Sequence, residues 1–154
     1  MFHIVLFEPE IPPNTGNIIR LIANAGAYLH LIHPLGFDLN DKQLKRAGMD
    51  YRELSRVVEH ESFENFIKTH TTNELFAAST KGTKRYTNVE FNEGDTIVFG
   101  PESRGLPEDI LNYIGKNNIL RIPMQNNSRS LNLSNAVGVI LYEALRQINF
   151  GGVA

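Results

Sequence analysis

A mostly parallel α/β sheet flanked by helices is the fold class this sequence predicts, and three observations predict it. Short runs rich in Val, Ile, Leu and Phe recur along the chain, none of them alternates cleanly between apolar and polar residues, and helical patterns lie between them. A run without alternation suits a strand covered on both faces, and strand, helix, strand in repetition is how parallel neighbours are connected. The strands are read at residues 4–7, 29–32, 75–78, 96–99 and 119–122. The helices are read at 14–25, 41–46, 62–69, 107–113 and 134–148. In the last of these, Val137, Leu141, Ala144, Leu145 and Ile148 fall on one face, and Asn132 or Ser134 stands where an N-cap belongs.

A chain of 154 residues is the usual size of one domain, so residues 1–154 are expected to form a single unit. Apolar content of 42%, charged content of 21% and a net charge of -2 are those of a globular protein with no overall polyelectrolyte character, so a charged partner must be met by local patches. The absence of cysteine excludes disulfides, thiolate metal sites and a Cys nucleophile, and fits a cytoplasmic setting. The opening "MFHIVLFEPEIPPN" has no basic leader, and its apolar run is short. It is expected to be a first strand rather than a signal peptide or membrane span, and the tail "NFGGVA" a frayed end. No internal repeat is seen.

Polar chemistry collects where the strand runs end: "EPEIPPNTGN", "STKGTK", "GPESRGLP" and "PMQNNSRSLN" each follow one. Parallel sheets bind ligands beyond the carboxyl ends of their strands, where loops gather and helix N-termini present free N–H groups. Taken singly, each stretch is also ordinary turn and cap chemistry, and Arg20, Arg104 and Arg129 could be solvated. Four such loops at one end of one sheet make the site reading the stronger. The chain has no G-x-G-x-x-G after its first strand, no Walker A pattern, no G-x-S-x-G elbow and no H-E-x-x-H. Its five histidines have no ligand spacing: His3, His30 and His33 are read as structural or exposed, His60 and His70 as loop residues, and no metal is expected. Asn, Ser, Glu and Arg without a strong nucleophile suit the binding and orienting of two substrates.

Three stretches, "PEIPPNTGNIIRLIANAG", "IVFGPESRGLP" and "LRIPMQNNSRSLNLSNAVGVILYEALRQ", stand in the order and spacing of the three motifs of the SpoU branch of the SPOUT RNA methyltransferases. Over essentially its whole length the chain resembles the TrmL (YibK-like) group, tRNA wobble-nucleotide 2′-O-methyltransferases. That resemblance implies a SPOUT fold with a deep C-terminal trefoil knot, which strand alternation alone does not suggest. It implies S-adenosylmethionine (SAM) as cofactor, S-adenosylhomocysteine as product, and a homodimer. It places Ala78, Gly100, Ile122 and Ser130 around the cofactor, with Phe99, Met124 and Leu131 nearby. Asn14, Arg20, Glu102, Ser130 and Asn132 correspond to the catalytic centre. Arg20 either helps to activate the ribose hydroxyl or clamps a phosphate, because a guanidinium stays charged. Glu102 could orient Arg20 through a charge-assisted pair.

The substrate implied is a tRNA anticodon stem-loop methylated at position 34, C or U, with leucine isoacceptors the expectation. Methylation of another RNA such as rRNA, or an inactive knotted module that binds SAM or RNA, are the alternatives. Lys81 and Arg129 are the expected RNA contacts. Lys42, Lys45, Arg46, Arg52 and Arg56 form one basic window, and Lys81, Lys84 and Arg85 another beside Arg121 and Arg129; a solvated face is the competing reading. Tyr86 is a candidate base-stacking residue. On the final helix Val139, Ile140 and Tyr142 extend the apolar surface round the cylinder, and Tyr142 is the expected dimer contact, with burial inside one subunit the competing reading.

Overall fold

The structure, a computed structural model, describes residues 1–40, 42–46 and 51–154. Its strands are β1 (His3–Phe7), β2 (Tyr28–Ile32), β3 (Val57–His60), β4 (Leu75–Ala78), β5 (Lys84–Arg85), β6 (Thr96–Phe99) and β7 (Ile119–Arg121). They form one sheet in the order β3-β2-β1-β6-β4-β7-β5, with every pairing parallel. The helices are α1 (Pro12–Ala25), α2 (Lys42–Arg46), α3 (Tyr51–Leu54), α4 (Phe63–Thr69), α5 (Glu108–Ile114) and α6 (Leu133–Gln147). Among the described residues, no helix is long and apolar enough to cross a membrane.

The predicted parallel α/β class is the observed one, and the two-sided core explains the missing alternation. Ile4 and Leu6 of β1 pack with Leu29 and Leu31 of β2 against Ile18, Ile19 and Ile22 of α1 and Val137, Ile140, Leu141, Ala144 and Leu145 of α6. Val5, Ile32, Ala77 and Val98, on the opposite face of the same strands, meet Phe66 of α4 and Ile110 and Leu111 of α5. Each central strand is therefore apolar at successive positions, because both of its faces are covered. Ile140 belongs to this core, fully buried in the subunit, so only Val139 and Tyr142 of the predicted outward extension are exposed.

Two strands and one helix were not expected from the pattern. β3 and β5 are the sheet's two edges; β3 carries Glu59 and His60, and β5 has two residues. α3 spans a single turn. The predicted helix start at Asp41 and the side chain of Lys45 lie outside the described residues. α1 begins at Pro12, two residues before the predicted start, because a proline in the first turn brings a suitable φ and lacks only an N–H that would be unpaired anyway.

The chain path around β7 positions the site. β7 lies between β4 and β5, so the segment that leaves β4 must cross it. The crossing is close: Ser79 N–H donates to the Leu120 carbonyl at 3.0 Å, and a Cβ on Gly82 would meet that carbonyl carbon and oxygen at 2.8 Å. The chain leaving β7 then runs to α6, whose Gln147 accepts from Phe91 N–H at 2.8 Å and donates to the Val89 carbonyl at 3.1 Å.

Candidate active site

Two loops from the carboxyl ends of neighbouring strands clasp each other. After β6, Glu102 accepts from the backbone N–H of Glu10 at 3.0 Å and of Ile11 at 2.6 Å, both in the loop after β1. In return the Glu10 carboxylate accepts from the N–H and hydroxyl of Ser103 at 2.8 and 2.7 Å. Those two bonds hold its pKa below the usual carboxylate range, the backbone one contributing most. The N-cap of α1, Ile11, has no capping side chain, and the Glu102 carboxylate supplies negative charge at that helix end.

Asn14, buried in the first turn of α1, joins this clasp to the last motif. Its amide donates to Glu102 at 3.4 Å, and its carbonyl oxygen accepts from Asn132 Nδ2 at 2.9 Å. Asn132 is the N-cap of α6, where its Oδ1 accepts from Ser134 N–H at 2.9 Å and Asn135 N–H at 3.4 Å. One chain of hydrogen bonds thus runs Asn132–Asn14–Glu102. It links residues 118 and 88 positions apart and fixes the starts of α1 and α6 against the β6 loop.

Beside this chain opens a cleft of about 510 Å³. Its lining includes every expected cofactor residue: Ala78, Phe99, Gly100, Ile122, Met124, Ser130 and Leu131. Asn14, Glu102, Asn132 and Lys81 line it too. Lys81 pairs there with Glu108 at 2.9 Å, both ends well exposed. Gly100 is required by its own loop: a Cβ would stand 2.5 Å from Leu106 N and 2.6 Å from the Gly105 carbonyl carbon. The close approach expected at Gly100 is thus first an approach of backbone to backbone, which seals the cleft wall.

Arg20 and Arg129 are not in the lining. Arg20 follows Asn14 by six residues, about 9 Å further along the helix axis. The pairing expected between Glu102 and Arg20 is replaced by another: Arg20 Nε lies 3.4 Å from Glu53 of α3, while Glu102 is occupied by the loop after β1. Tyr142 is exposed on α6, so burial within the subunit is not its role. Sequence reasoning missed the Glu10–Ser103 half of the clasp and the lining residues Ile11, Ser79, Thr80 and Ser103. The signal available was the pair of glutamates in "EPEIPPN" and "GPESRG".

Of the two histidines read as loop residues, His70 is one, just past the end of α4, whereas His60 ends β3; with His3 and His30 they gather on the α4 face of the sheet. Chain spacing does not reveal this, because the sheet register creates it.

Residues 1–142 match the SpoU rRNA Methylase family. The chain is similar to a tRNA (cytidine(34)-2′-O)-methyltransferase of Saccharophagus degradans, 62% identical over 99% of each chain. It is similar to a solved structure concerned with 2-OH methylation of C/U34 on tRNA, at a TM-score of 0.90 and 47% identity over 97% of both chains. An AdoMet-bound rRNA methyltransferase from Sinorhizobium meliloti has a TM-score of 0.83 and 26% identity, over 96% of this chain and 56% of that one.

Proposed function

The chain belongs to the SpoU rRNA Methylase family, and from that premise we propose that it transfers a methyl group from SAM to the ribose 2′-oxygen of the wobble nucleotide, C or U at position 34, in the anticodon loop of a tRNA. Leucine isoacceptors are the first candidates, and the cytoplasm is the setting. The observation that carries this reading is the Asn132–Asn14–Glu102 chain, which joins the three motif regions at the edge of the cleft.

The cleft suits SAM on its own chemistry. A volume of about 510 Å³ lies in the range of small-molecule sites, and its walls mix apolar Phe99, Ile122 and Leu131 with the short polar groups of Ser79 and Ser130. Ala78, Gly100, Ile122 and Ser130 would hold the cofactor, with Phe99, Met124 and Leu131 against it. When bound, SAM supplies an electrophilic methyl on a positively charged sulfur, and S-adenosylhomocysteine is the product. Asn14 and Asn132 stand beside that space and orient the ribose, and Glu102 fixes the wall from which they act. Holding the two substrates in line can account for about 7–11 kcal/mol of barrier lowering in favourable cases.

Arg20 completes the site from a second subunit in this proposal. It lies outside its own cleft, half exposed, on the helix that packs with α6. On α6, Val139 and Tyr142 form an exposed surface with Leu21 packed beside Gly138. A homodimer over α1 and α6 would cover that surface and carry each Arg20 toward the partner's cleft, where it pairs with an RNA phosphate and polarises the 2′-hydroxyl, whose proton passes to that phosphate or to water as the methyl is transferred. Lys81 and Arg129 flank the entry for the anticodon stem. Residues 1–154 act as one SPOUT domain. The crossing of β7 by the segment from β4 to β5, with the chain after β7 pinned to residues 89–91, supports a C-terminal trefoil knot.

The test is methyl transfer by purified protein to total tRNA, with the modified nucleotide located by mass spectrometry. A 2′-O-methyl group at position 34, abolished in Arg20→Ala while SAM binding persists, is expected. Methylation confined to rRNA, or calorimetry that finds no SAM binding, would overturn the proposal.

A further inference from the structure

The histidine cluster lies on the sheet face opposite α1 and α6. Register produces it: His30 lies opposite Val5 and His60 opposite Ile32, so three parallel strands carry His3, His30 and His60 in a diagonal on the side that faces α4. The C-cap of α4 brings down the fourth ring, with His70 centred 4.3 Å from His3 and 4.8 Å from His30. One ring nitrogen from each of His3, His30 and His70 lies within 4.8 Å of the others. His70 Nε2 is buried with no hydrogen-bond partner among the described residues, a state that is unfavourable unless something fills it.

We propose that His3, His30 and His70 form a binding site for a borderline divalent transition metal of the zinc type, separate from the methyl-transfer cleft. Three imidazoles without a carboxylate suit zinc, copper or nickel and disfavour calcium and magnesium, which take oxygen ligands. His60 serves as the outer partner: with the His30 Nδ1 proton donated to His60 Nε2 across 2.9 Å, the His30 Nε2 lone pair faces His3 and the site. His3 Nδ1 and His30 Nε2 stand 3.0 Å apart, against about 3.3 Å for two nitrogens on one tetrahedral zinc, so these two rings are already at ligand spacing, and the His70 ring, its nitrogen within 4.8 Å of theirs, closes in on the ion. Without the ion the same nitrogens share a hydrogen bond. Burial first, and the neighbouring histidines next, hold His30 at a pKa of about 3; burial, His70 and the chain's own ammonium hold His3 at about 4. Both rings are therefore neutral at pH 7, the form that binds metal. A second cavity, of about 470 Å³ and lined by His70, Thr71 and Asn73, opens beside the His70 corner of the cluster.

The experiment uses the full chain without an affinity tag, stripped with a chelator and then titrated with zinc by calorimetry and with cobalt by visible absorption. One ion per chain with micromolar or tighter affinity is expected, with the intense cobalt bands of a four-coordinate site and a rise in Tm on zinc addition. His70→Gln and, independently, His3→Gln should each weaken binding about tenfold or more and remove the Tm rise. His33→Gln should leave all of these unchanged, since His33 bonds Glu59 outside the cluster. The proposal is overturned if zinc shows no saturable one-to-one binding, or if His33→Gln weakens it as much as the cluster variants do.

Discussion

Replacing Glu102 by Gln isolates what a single side chain does for the site. The carboxylate accepts three hydrogen bonds, from two backbone N–H groups and from Asn14, and it donates none. An amide at that position would turn its NH₂ toward at least one of those donors. About 1–3 kcal/mol of stability should be lost, read as a lower denaturation midpoint, and SAM affinity should fall with it because the clasp shapes the cleft wall. Arg20→Ala, by contrast, should leave SAM binding intact. A Glu102→Gln variant that binds SAM like wild type but cannot transfer methyl would place Glu102 in the chemistry instead. The motif residues Asn14, Glu102 and Asn132 were legible in the sequence because the resemblance spans all three stretches. Their partners were not: whether Glu102 meets Arg20 or the Glu10 and Ile11 amides depends on a contact between loops about 90 residues apart, which no local pattern encodes.

α6 shows what a helix pattern does and does not tell. Its buried stripe of Val137, Leu141, Ala144 and Leu145 could be read directly, and Asn132 was one of the two caps proposed. The pattern extends the apolar surface through Val139, Ile140 and Tyr142 toward a second packing partner, and for Ile140 that partner is α1 of the same subunit, which widens the buried arc to include it. What remains outside is Val139 at 38% and Tyr142 at 41% exposure, too small a patch to be conspicuous in one copy. Tyr142→Asp should therefore leave the subunit's own fold intact and raise the dimer dissociation constant about tenfold or more by ultracentrifugation, with tRNA methylation falling in parallel. Dimer strength unchanged by this charge would move the interface off α6. At the other extreme of legibility stand β3 and β5: an edge strand is half solvated and carries polar residues, and a pair of residues is too short for any period.

For the molecule as a whole, fold class followed from composition and repetition, since a sheet buried on both faces writes long apolar runs into every central strand. Strand order did not follow. β6 comes late in the chain yet pairs with β1 and β4 at the centre of the sheet, and it is this placement that brings the Glu102 loop onto the start of α1. The same order leaves Arg20 on the outer side of α1, away from the cleft its own subunit forms. Mixed dimers of Arg20→Ala and Asn132→Ala subunits decide whether the proposed site is shared between two chains. Each variant alone should be inactive in 2′-O-methylation of position 34. After unfolding and refolding together, half of the dimers should be mixed, each with one intact site built from the unaltered Arg20 of one chain and the unaltered Asn132 of the other. Recovery of about a quarter of wild-type methylation is the predicted result. No recovery, with mixed dimers demonstrably formed, would mean that Arg20 and Asn132 act within one chain and that the site is not shared.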